Sequence, residues 1–401
     1  MKWPSKTFSH LYLVPSRNGL NRPSRDRGEG YKMVNMGELF ANDRIGNIPM
    51  ERVQMNDSEL EQCTLCEGDL LFARQSLVLE GAGKCSFVTE ITEPTTFESH
   101  LIRVRLDKAK ADPLFYYYLF TSPYSGMSTI VQQCAQAGIR GSDLSNLSVL
   151  HPPLEAQQKI AKILSAYDDL IENNNRRIAL LDQAARHLFE EWFVRLNFPG
   201  HERNNIIDGV PKRWERKTLS EMAQVNERTL PGSYQGDIEY VDIASVTPGN
   251  IGATTIYDVQ EAPSRARRVA RHGDIIWSCV RPNRRSYAVI WHPPPNLIVS
   301  TGFAVITPMT VPTTYLYFAT THPAFVAYLE NRATGVAYPA VLSGDFECAP
   351  VLRPPHALVT SFNEVGEPIL QQSQNLRIQN QKLRYARDLL LPRLMSGEIA
   401  A

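Results

Sequence analysis

Residues 68–74 read Gly-Asp-Leu-Leu-Phe-Ala-Arg, and residues 273–279 read Gly-Asp-Ile-Ile-Trp-Ser-Cys. Two further landmarks recur in the same order: an aromatic run bounded by prolines, and a double proline near the end of each copy. They lie at residues 112–118 and 312–318, and at Pro152-Pro153 and Pro354-Pro355. Self-similarity in a fixed order indicates that one structural unit is used twice.

A long helical pattern follows each double proline. Apolar residues alternate at steps of four and three from Ile160 to Trp192, and again from Leu358 to Leu390. This alternation predicts the seam of a coiled coil. Polar residues near the middle of each seam are expected to fix the helix register at a cost in stability. They are Asn174, Gln372 and Gln379. The alternative is that each helix packs as a bundle helix on its own globular domain.

The sequence therefore predicts a mixed α/β fold. Two duplicated globular domains would be separated by a long antiparallel two-helix coiled coil with a pseudo-two-fold axis. The second helix must run back, because domain termini usually lie close together and it then starts near the end of the first. About 33 residues at 1.5 Å each give a rod of roughly 50 Å. The predicted segments are residues 1–152 (first globular domain), 153–198 (first helix), 199–210 (linker), 211–355 (second globular domain) and 356–401 (second helix).

The charges are segregated along the chain, although the formal net charge is zero. A zero net charge disfavours a simple nucleic-acid binder, which is usually basic. Residues 1–27 and 262–290 are nevertheless basic, each with a single acid, Asp26 and Asp274. The basic residues are Lys2, Lys6, Arg17, Arg22, Arg25 and Arg27 in the first cluster, and Arg265, Arg267, Arg268, Arg271, Arg281, Arg284 and Arg285 in the second. Either cluster alone could be a solvated surface, but one in each copy favours two faces that contact an anionic partner.

Polar loops follow the repeated Gly-Asp strands at residues 74–76 and 281–285, and two later loops carry Arg140 and Tyr338. Arg, Gln and Asn side chains can make bidentate hydrogen bonds to guanine and adenine. The residues predicted to contact DNA are Arg17, Arg22, Arg25, Arg74, Gln75, Ser76, Arg140, Arg265, Arg267, Arg268, Arg281, Asn283, Arg284, Arg285 and Tyr338. Each one alone could be an ordinary exposed side chain. Their equivalent placement in both copies fits two domains that read different sequences. The predicted rod could set the gap, since half-sites one duplex turn apart are about 34–36 Å apart.

The sequence offers no motif for catalysis or for a resident cofactor. Residues 81–85 resemble a phosphate-binding loop, yet they lack the upstream glycine and the Ser or Thr after Lys84. The Asn/Asp-Pro-Pro-aromatic motif that an amino-methyltransferase needs to hold a flipped base does not occur. Cys63 and Cys66 form a lone pair without the further ligands that zinc requires, so we expect no metal. Scattered cysteines, with no apolar leader and no apolar span, predict a cytoplasmic protein.

Four stretches carry a resemblance to a known family. They are Pro152-Pro153-Leu154-Glu155-Ala156-Gln157, Pro211-Lys212-Arg213-Trp214-Glu215 with Leu219, Ser300-Thr301-Gly302-Phe303-Ala304-Val305, and Leu391-Pro392-Arg393-Leu394-Met395-Ser396-Gly397-Glu398-Ile399. Through them the chain resembles the specificity subunits of Type I restriction-modification systems over nearly its whole length. It departs from the family pattern at Ala156, where an acid is usual, and after Pro354-Pro355, where Leu-Glu-x-Gln is absent.

The resemblance implies a non-catalytic subunit with two target-recognition domains, each reading one part of a split, asymmetric DNA sequence. The long helices would act as spacer and as dock for two methyltransferase subunits. Those subunits would bind S-adenosylmethionine and modify adenine N6, and restriction subunits that use ATP and Mg²⁺ would join the larger complex. Two other functions stay open from the sequence: a self-sufficient DNA adenine methyltransferase and a coiled-coil scaffold that binds only proteins.

Overall fold

The computed structural model of the chain describes residues 3–133, 137–207 and 209–399. The chain divides into two compact units. Unit 1 consists of Met1–Asn173 and Asn380–Ala401, and unit 2 consists of Asn174–Gln379. Both unit boundaries therefore fall inside the two long helices. The division into domains predicted from the sequence stays a prediction, as does the distance between the domains.

Unit 1 combines short strands with short helices and the first part of a long helix. Its strands are β1 (Ser5–Thr7), β2 (Tyr12–Asn18), β3 (Arg27–Val34), β4 (Arg44–Ile45), β5 (Glu51–Val53), β6 (Leu70–Ala73), β7 (Gln75–Ser76), β8 (Cys85–Val88), β9 (Thr95–Phe97), β10 (Leu101–Leu106), β11 (Gln132–Gln133), β12 (Ala137–Gly138) and β13 (Ser148–Leu150). Its helices are α1 (Met36–Ala41), α2 (Asp57–Cys63), α3 (Pro113–Thr121), α4 (Gly141–Asn146) and the first part of α5 (Leu154–Phe189). The sheets have the strand orders β2-β10-β6-β8-β4, β5-β3-β9, β11-β12-β7 and β1-β13.

Unit 2 begins within α5, whose second part ends in the π-helical turn Glu190–Val194. Its strands are β14 (Ile206–Ile207), β15 (Val210–Pro211), β16 (Glu215–Thr218), β17 (Ala223–Val225), β18 (Asp237–Val241), β19 (Val246–Thr247), β20 (Asn250–Ile251), β21 (Thr255–Asp258), β22 (Ala266–Val269), β23 (Ile275–Ser278), β24 (Tyr287–Val289), β25 (Leu297–Ser300), β26 (Phe303–Pro308) and β27 (Pro350–Arg353). Its helices are α6 (Thr313–Thr321), α7 (Pro323–Arg332), α8 (Ser343–Glu347) and the first part of α9 (His356–Met395). The larger sheets have the orders β17-β26-β23-β24 and β21-β18-β25-β22.

The strand pairing is duplicated. The antiparallel set β10-β6-β8 of unit 1 returns as β26-β23-β24 in unit 2. The parallel pair β3–β9 returns as β18–β25, and the antiparallel pair β1–β13 returns as β16–β27. The predicted mixed α/β fold of two duplicated units is therefore confirmed.

The repeated Gly-Asp sequence builds the start of the central strand in each unit. Gly68 and Gly273 have φ values of 92° and 86°, in the left-handed region that favours glycine. The next residue is a buried aspartate that holds an arginine. Asp69 accepts a hydrogen bond of 2.7 Å from Arg105 Nε, and Asp274 accepts one of 2.9 Å from Arg228 Nη2. The repetition therefore marks a structural turn.

The repeated aromatic run forms the core helix of each unit. In α3, Tyr116 is buried and its hydroxyl donates a hydrogen bond of 3.2 Å to the Leu150 carbonyl of β13. In α6, the buried Tyr315 donates its hydroxyl to the Leu352 carbonyl of β27. The same contact thus ties the core helix to the strand that leads into each long helix.

The two long helices pair within each unit. In unit 1, Ile160 and Leu164 of α5 share a core with Leu394 of α9, and Arg387 donates a hydrogen bond to Asp168. In unit 2, Asn174 Nδ2 donates to Gln379 Oε1 at 3.2 Å, and the rings of Phe193 and Phe362 lie 5.1 Å apart. In each unit, higher residue numbers on α5 meet lower numbers on α9, so the predicted antiparallel pairing is confirmed.

The long helices also pack on the globular core of unit 2. The Phe189 ring of α5 lies 5.8 Å from the Tyr315 ring of α6, and the Phe362 ring of α9 lies 6.0 Å from the Phe318 ring of α6. The buried positions of α9 include Val359, Leu370, Ser373 and Asn380.

The seam predicted for α9 is confirmed at Phe362 and Leu376, which are buried, but it is wrong by one residue at Val365 and Gln372. Gln372, a predicted register residue, is exposed, and its neighbour Ser373 is buried. Gly366 is also buried and faces α6, where a Cβ atom would lie in ordinary van der Waals contact, 3.5 Å from Thr314 Cβ. Gln379 is exposed overall, but its side-chain oxygen accepts the hydrogen bond of 3.2 Å from Asn174 Nδ2.

Candidate nucleic-acid interface

A basic turn follows β23 in unit 2. Pro282–Arg284 form one 3₁₀ turn, flanked by Arg281 and Arg285 with φ values of 51° and 54°. Pro282 and Ser286 are buried and anchor the turn, while Asn283, Arg284 and Arg285 are exposed. Residues other than glycine seldom have a left-handed backbone conformation, so two of them in one turn give its backbone an unusual shape. The chain thus directs an amide and two guanidinium groups outward from a fixed backbone.

A second loop of unit 2 packs beside this turn. The Arg281 amide donates a 2.7 Å hydrogen bond to the Pro339 carbonyl, and Val341 N donates to the Cys279 carbonyl at 2.9 Å. The Arg281 guanidinium lies 4.3 Å from the centre of the Tyr338 ring and donates to the Ala337 carbonyl at 3.1 Å. Residues 281–285 and 334–340 therefore form one surface, which we name platform 2.

Unit 1 pairs the equivalent loops. After β6, the short strand β7 pairs with β12, and Ile139 N donates a 2.9 Å hydrogen bond to the Arg74 carbonyl. Residues 74–79 and 137–140 form the surface that we name platform 1. Arg74 and Gln75 are half-buried on it, and Arg140 is exposed. The two units thus use the same loop pairing with different side chains.

Three residues predicted to contact DNA are engaged within the fold. Ser76 is 9% exposed, and its hydroxyl accepts a 3.1 Å hydrogen bond from Val78 N. Arg22 donates to Glu59 at 2.6 Å, and Arg268 is half-buried in β22. Ser76 is buried because residues 75–76 form a strand that pairs with β12, which is distant in the sequence. Arg22 and Arg268 are half-buried, and contact of these three residues with DNA stays a prediction.

The remaining predicted residues fall into two groups. Platform 2 brings together Arg281, Asn283, Arg284, Arg285 and Tyr338, and platform 1 brings together Arg74, Gln75 and Arg140. Four other arginines are exposed elsewhere on the units. They are Arg17, which also donates to Gln62, and Arg25, Arg265 and Arg267. Lys2 of the first basic cluster lies outside the described residues.

Sequence reasoning missed the apolar part of both platforms. In platform 1, Leu77, Val78 and Leu79 are 88%, 59% and 45% exposed. In platform 2, Val336 is fully exposed. No signal in the sequence marks these residues, because the same apolar side chains also fill protein interiors.

A cavity of about 160 Å³ lies beside the basic turn of platform 2. Arg186 of α5 and Arg285 both line it. Arg186 Nη2 donates to the Tyr287 hydroxyl at 3.4 Å, and its Nη1 donates to Thr321 Oγ1 at 3.2 Å. Its guanidinium also lies 5.5 Å from the centre of the Phe318 ring. The long helix thereby contacts the strand that leaves the basic turn.

The side chains of the platforms are suited to binding, and the thiol of Cys279 is not activated as a nucleophile. Burial raises the pKa of the Cys279 thiol at the base of platform 2 to about 11, although Arg268 opposes the shift. The thiol therefore stays protonated at neutral pH, and an activated nucleophile would need a lowered pKa.

Across the part of the chain that the structure describes, no group of three or more His, Cys, Asp or Glu residues is placed to hold a metal ion. Over the same residues, no helix has the length and apolar character required to cross a membrane.

Comparisons with known proteins agree on one class. Residues 24–183 match the sequence model of the family described as Type I restriction modification DNA specificity domain. The MjaIX specificity subunit of Methanocaldococcus jannaschii is 24% identical over 372 residues, covering 88% of this chain and 83% of the relative. The HindI specificity subunit of Haemophilus influenzae is 22% identical, covering 91% of this chain and 94% of the relative.

A solved structure supports the fold. The crystal structure of the S subunit of a Type I restriction-modification system from M. genitalium matches with a TM-score of 0.57 at 15% identity, covering 98% of this chain and 96% of that chain. A duplicated α/β fold with a DNA specificity domain defines a DNA-recognition protein. Over most of its length the chain is similar to specificity subunits of Type I restriction-modification systems, so the resemblance seen in its sequence is confirmed.

Proposed function

We propose that this chain reads a bipartite, asymmetric DNA sequence, with platform 1 contacting one part and platform 2 the other. The observation that supports this proposal is that, within each unit, the two equivalent loops contact each other but present different side chains in the two units. Ile139 N binds the Arg74 carbonyl in unit 1, and Arg281 N binds the Pro339 carbonyl in unit 2. One scaffold with two sets of reading residues suits a target with two unlike parts.

The exposed groups of platform 2 match both kinds of DNA contact. Arginine forks fit the edge of guanine and phosphate oxygens, and an asparagine amide fits the edge of adenine. Asn283, Arg284 and Arg285 are exposed and adjacent. Phosphate contacts give affinity and base contacts give specificity. We therefore expect binding that weakens steeply as salt rises.

Catalysis would reside on partner subunits. Methyltransferase subunits would carry S-adenosylmethionine and modify adenine N6, and restriction subunits would use ATP and Mg²⁺. Exposed apolar residues on the long helices favour docking of such partners. Leu180 of α5 is 64% exposed, and Tyr385 and Leu389 of α9 are 68% and 53% exposed. We place the assembly in the cytoplasm, where its DNA target would lie.

The test measures DNA binding by the complex of this chain with its methyltransferase subunits. Target DNA and a shuffled duplex are compared at fixed salt, with the wild-type chain and with Arg281, Asn283, Arg284 and Arg285 replaced by alanine. We expect the ratio of affinities for target and shuffled DNA to fall at least tenfold in the variant. Each good bidentate contact between a side chain and a base edge contributes about 1–3 kcal/mol of discrimination. Unchanged preference would support the protein-only scaffold. Methyl transfer by the chain alone would support the self-sufficient methyltransferase.

A further inference from the structure

Each platform carries exposed apolar side chains beside polar ones. The apolar residues lie on the early loop of platform 1 and on the late loop of platform 2. In platform 2 the early loop is basic and the late loop presents Val336, which is fully exposed. In platform 1 the early loop presents Leu77, which is 88% exposed, and the late loop carries Arg140. The combination of one apolar tip with neighbouring cations occurs in both units.

The apolar tip of platform 2 is held by a closed hairpin. Thr334 N donates to the Ala340 carbonyl and Ala340 N donates to the Thr334 carbonyl, both at 2.9 Å. Gly335, with a φ of 99°, makes the turn possible. Arg281 covers the Tyr338 ring on one side of the tip. Val336 is therefore presented on a supported loop.

The residues around Val336 indicate the chemistry of its binding partner. Residues 281–285 and 334–340 contain three arginines and no acid. A surface of this kind fits a polyanion that offers an apolar group at close range. In the major groove of DNA, the apolar group on the base edges is the C5 methyl group of thymine. Burial of Val336 against it would remove both apolar groups from water.

We propose that Val336 contacts the C5 methyl group of a thymine in the part of the target read by platform 2. The assignment rests on the proposed function, because it requires platform 2 to lie on DNA. In platform 1 the most exposed apolar residue, Leu77, lies on the early loop instead. The tip thus adds a preference for thymine at one defined position.

Uracil substitution tests the contact, because uracil lacks only the methyl group. Each thymine in the part of the target read by platform 2 is replaced singly by uracil, and the complex with methyltransferase subunits is titrated at fixed salt. One position is expected to lose about fourfold in affinity, the effect of one buried methyl group. With the V336S chain, the same substitution should change affinity by less than about twofold, the limit within which independent changes add.

A matched control is I256A, since Ile256 is 70% exposed on β21 and lies outside platform 2. It should keep the full sensitivity to uracil. The proposal is overturned if every thymine tolerates uracil, if the V336S chain keeps the sensitivity, or if this part of the target contains no A·T pair. In each of these cases the complex would still prefer its target over shuffled DNA. A complex without that preference would instead refute the proposed function.

Discussion

At the scale of single residues, the repeated Gly-Asp dipeptide has a structural role. Asp274 is 1% exposed and accepts hydrogen bonds from Arg228, from the Arg271 amide at 2.7 Å and from Thr307 at 2.8 Å. Glycine at the preceding position allows the left-handed backbone that places the carboxylate under the turn. The repeated dipeptide was recognisable from the sequence, but its arginine partner was not, because Arg228 is remote along the chain.

We expect D274A to destabilise unit 2 by about 3 kcal/mol, since it leaves a largely buried guanidinium without its carboxylate. Denaturant unfolding, followed by tryptophan fluorescence, measures the change in the free energy of unfolding, because four of the five tryptophans lie in unit 2. D237A is the matched control, because Asp237 is exposed. A loss below about 1 kcal/mol would mean that the buried pair contributes no more than an exposed ion pair.

At the scale of elements, local patterns predicted more than distant pairings did. The strands beginning near Asp69 and Asp274 and the aromatic helices α3 and α6 follow from patterns a few residues long. The short strand β7 did not, because its partner β12 lies far along the chain. The one-residue error at Gln372 concerns a helix that packs on both α5 and α6, and its contact with α6 could not be read from the seam alone.

The candidate site was predictable in its charged part and missed in its apolar part. Arg284 and Arg285 stood out because arginines cluster there without acids. An exposed Val336 or Leu77 cannot be distinguished by sequence from a core residue, since the same side chains fill protein interiors. Only the folded backbone shows that these side chains lie at loop tips.

Helix α5 is expected to position the basic turn of platform 2. Arg186 binds the Tyr287 hydroxyl, and Tyr287 N donates a 3.0 Å hydrogen bond to the Arg285 carbonyl. We expect R186M to reduce discrimination in the part of the target read by platform 2 about fivefold, the effect of one hydrogen bond of about 1 kcal/mol. Binding of the complex to DNA variants that differ by one base pair in each part of the target measures this.

A double-mutant cycle with Y287F separates positioning from simple destabilisation. Y287F removes only the hydroxyl, so the double variant should discriminate no worse than R186M alone. R177M is the matched control on the same helix, because Arg177 is exposed. Additive losses, or equal losses in both parts of the target, would show that Arg186 does not act through Tyr287.

At the scale of the whole molecule, the sequence and fold agree on duplication. The two units share their strand pairing, their core helix and their paired loops, while their exposed side chains differ. Selection on such a molecule can change one reading surface without disturbing the other, since each unit has its own core. The predicted rod would then keep the two reading surfaces at a set distance on the duplex.

The most direct measurement is selection of DNA from a randomised pool by the complex of this chain with its methyltransferase subunits. The wild-type chain should enrich a motif of two short, unlike parts separated by a spacer of fixed length and free sequence. Alanine at Arg281, Asn283, Arg284 and Arg285 should erase one part and leave the other with its spacer intact. Enrichment of a single continuous motif, or loss of both parts together, would contradict recognition by two independent platforms.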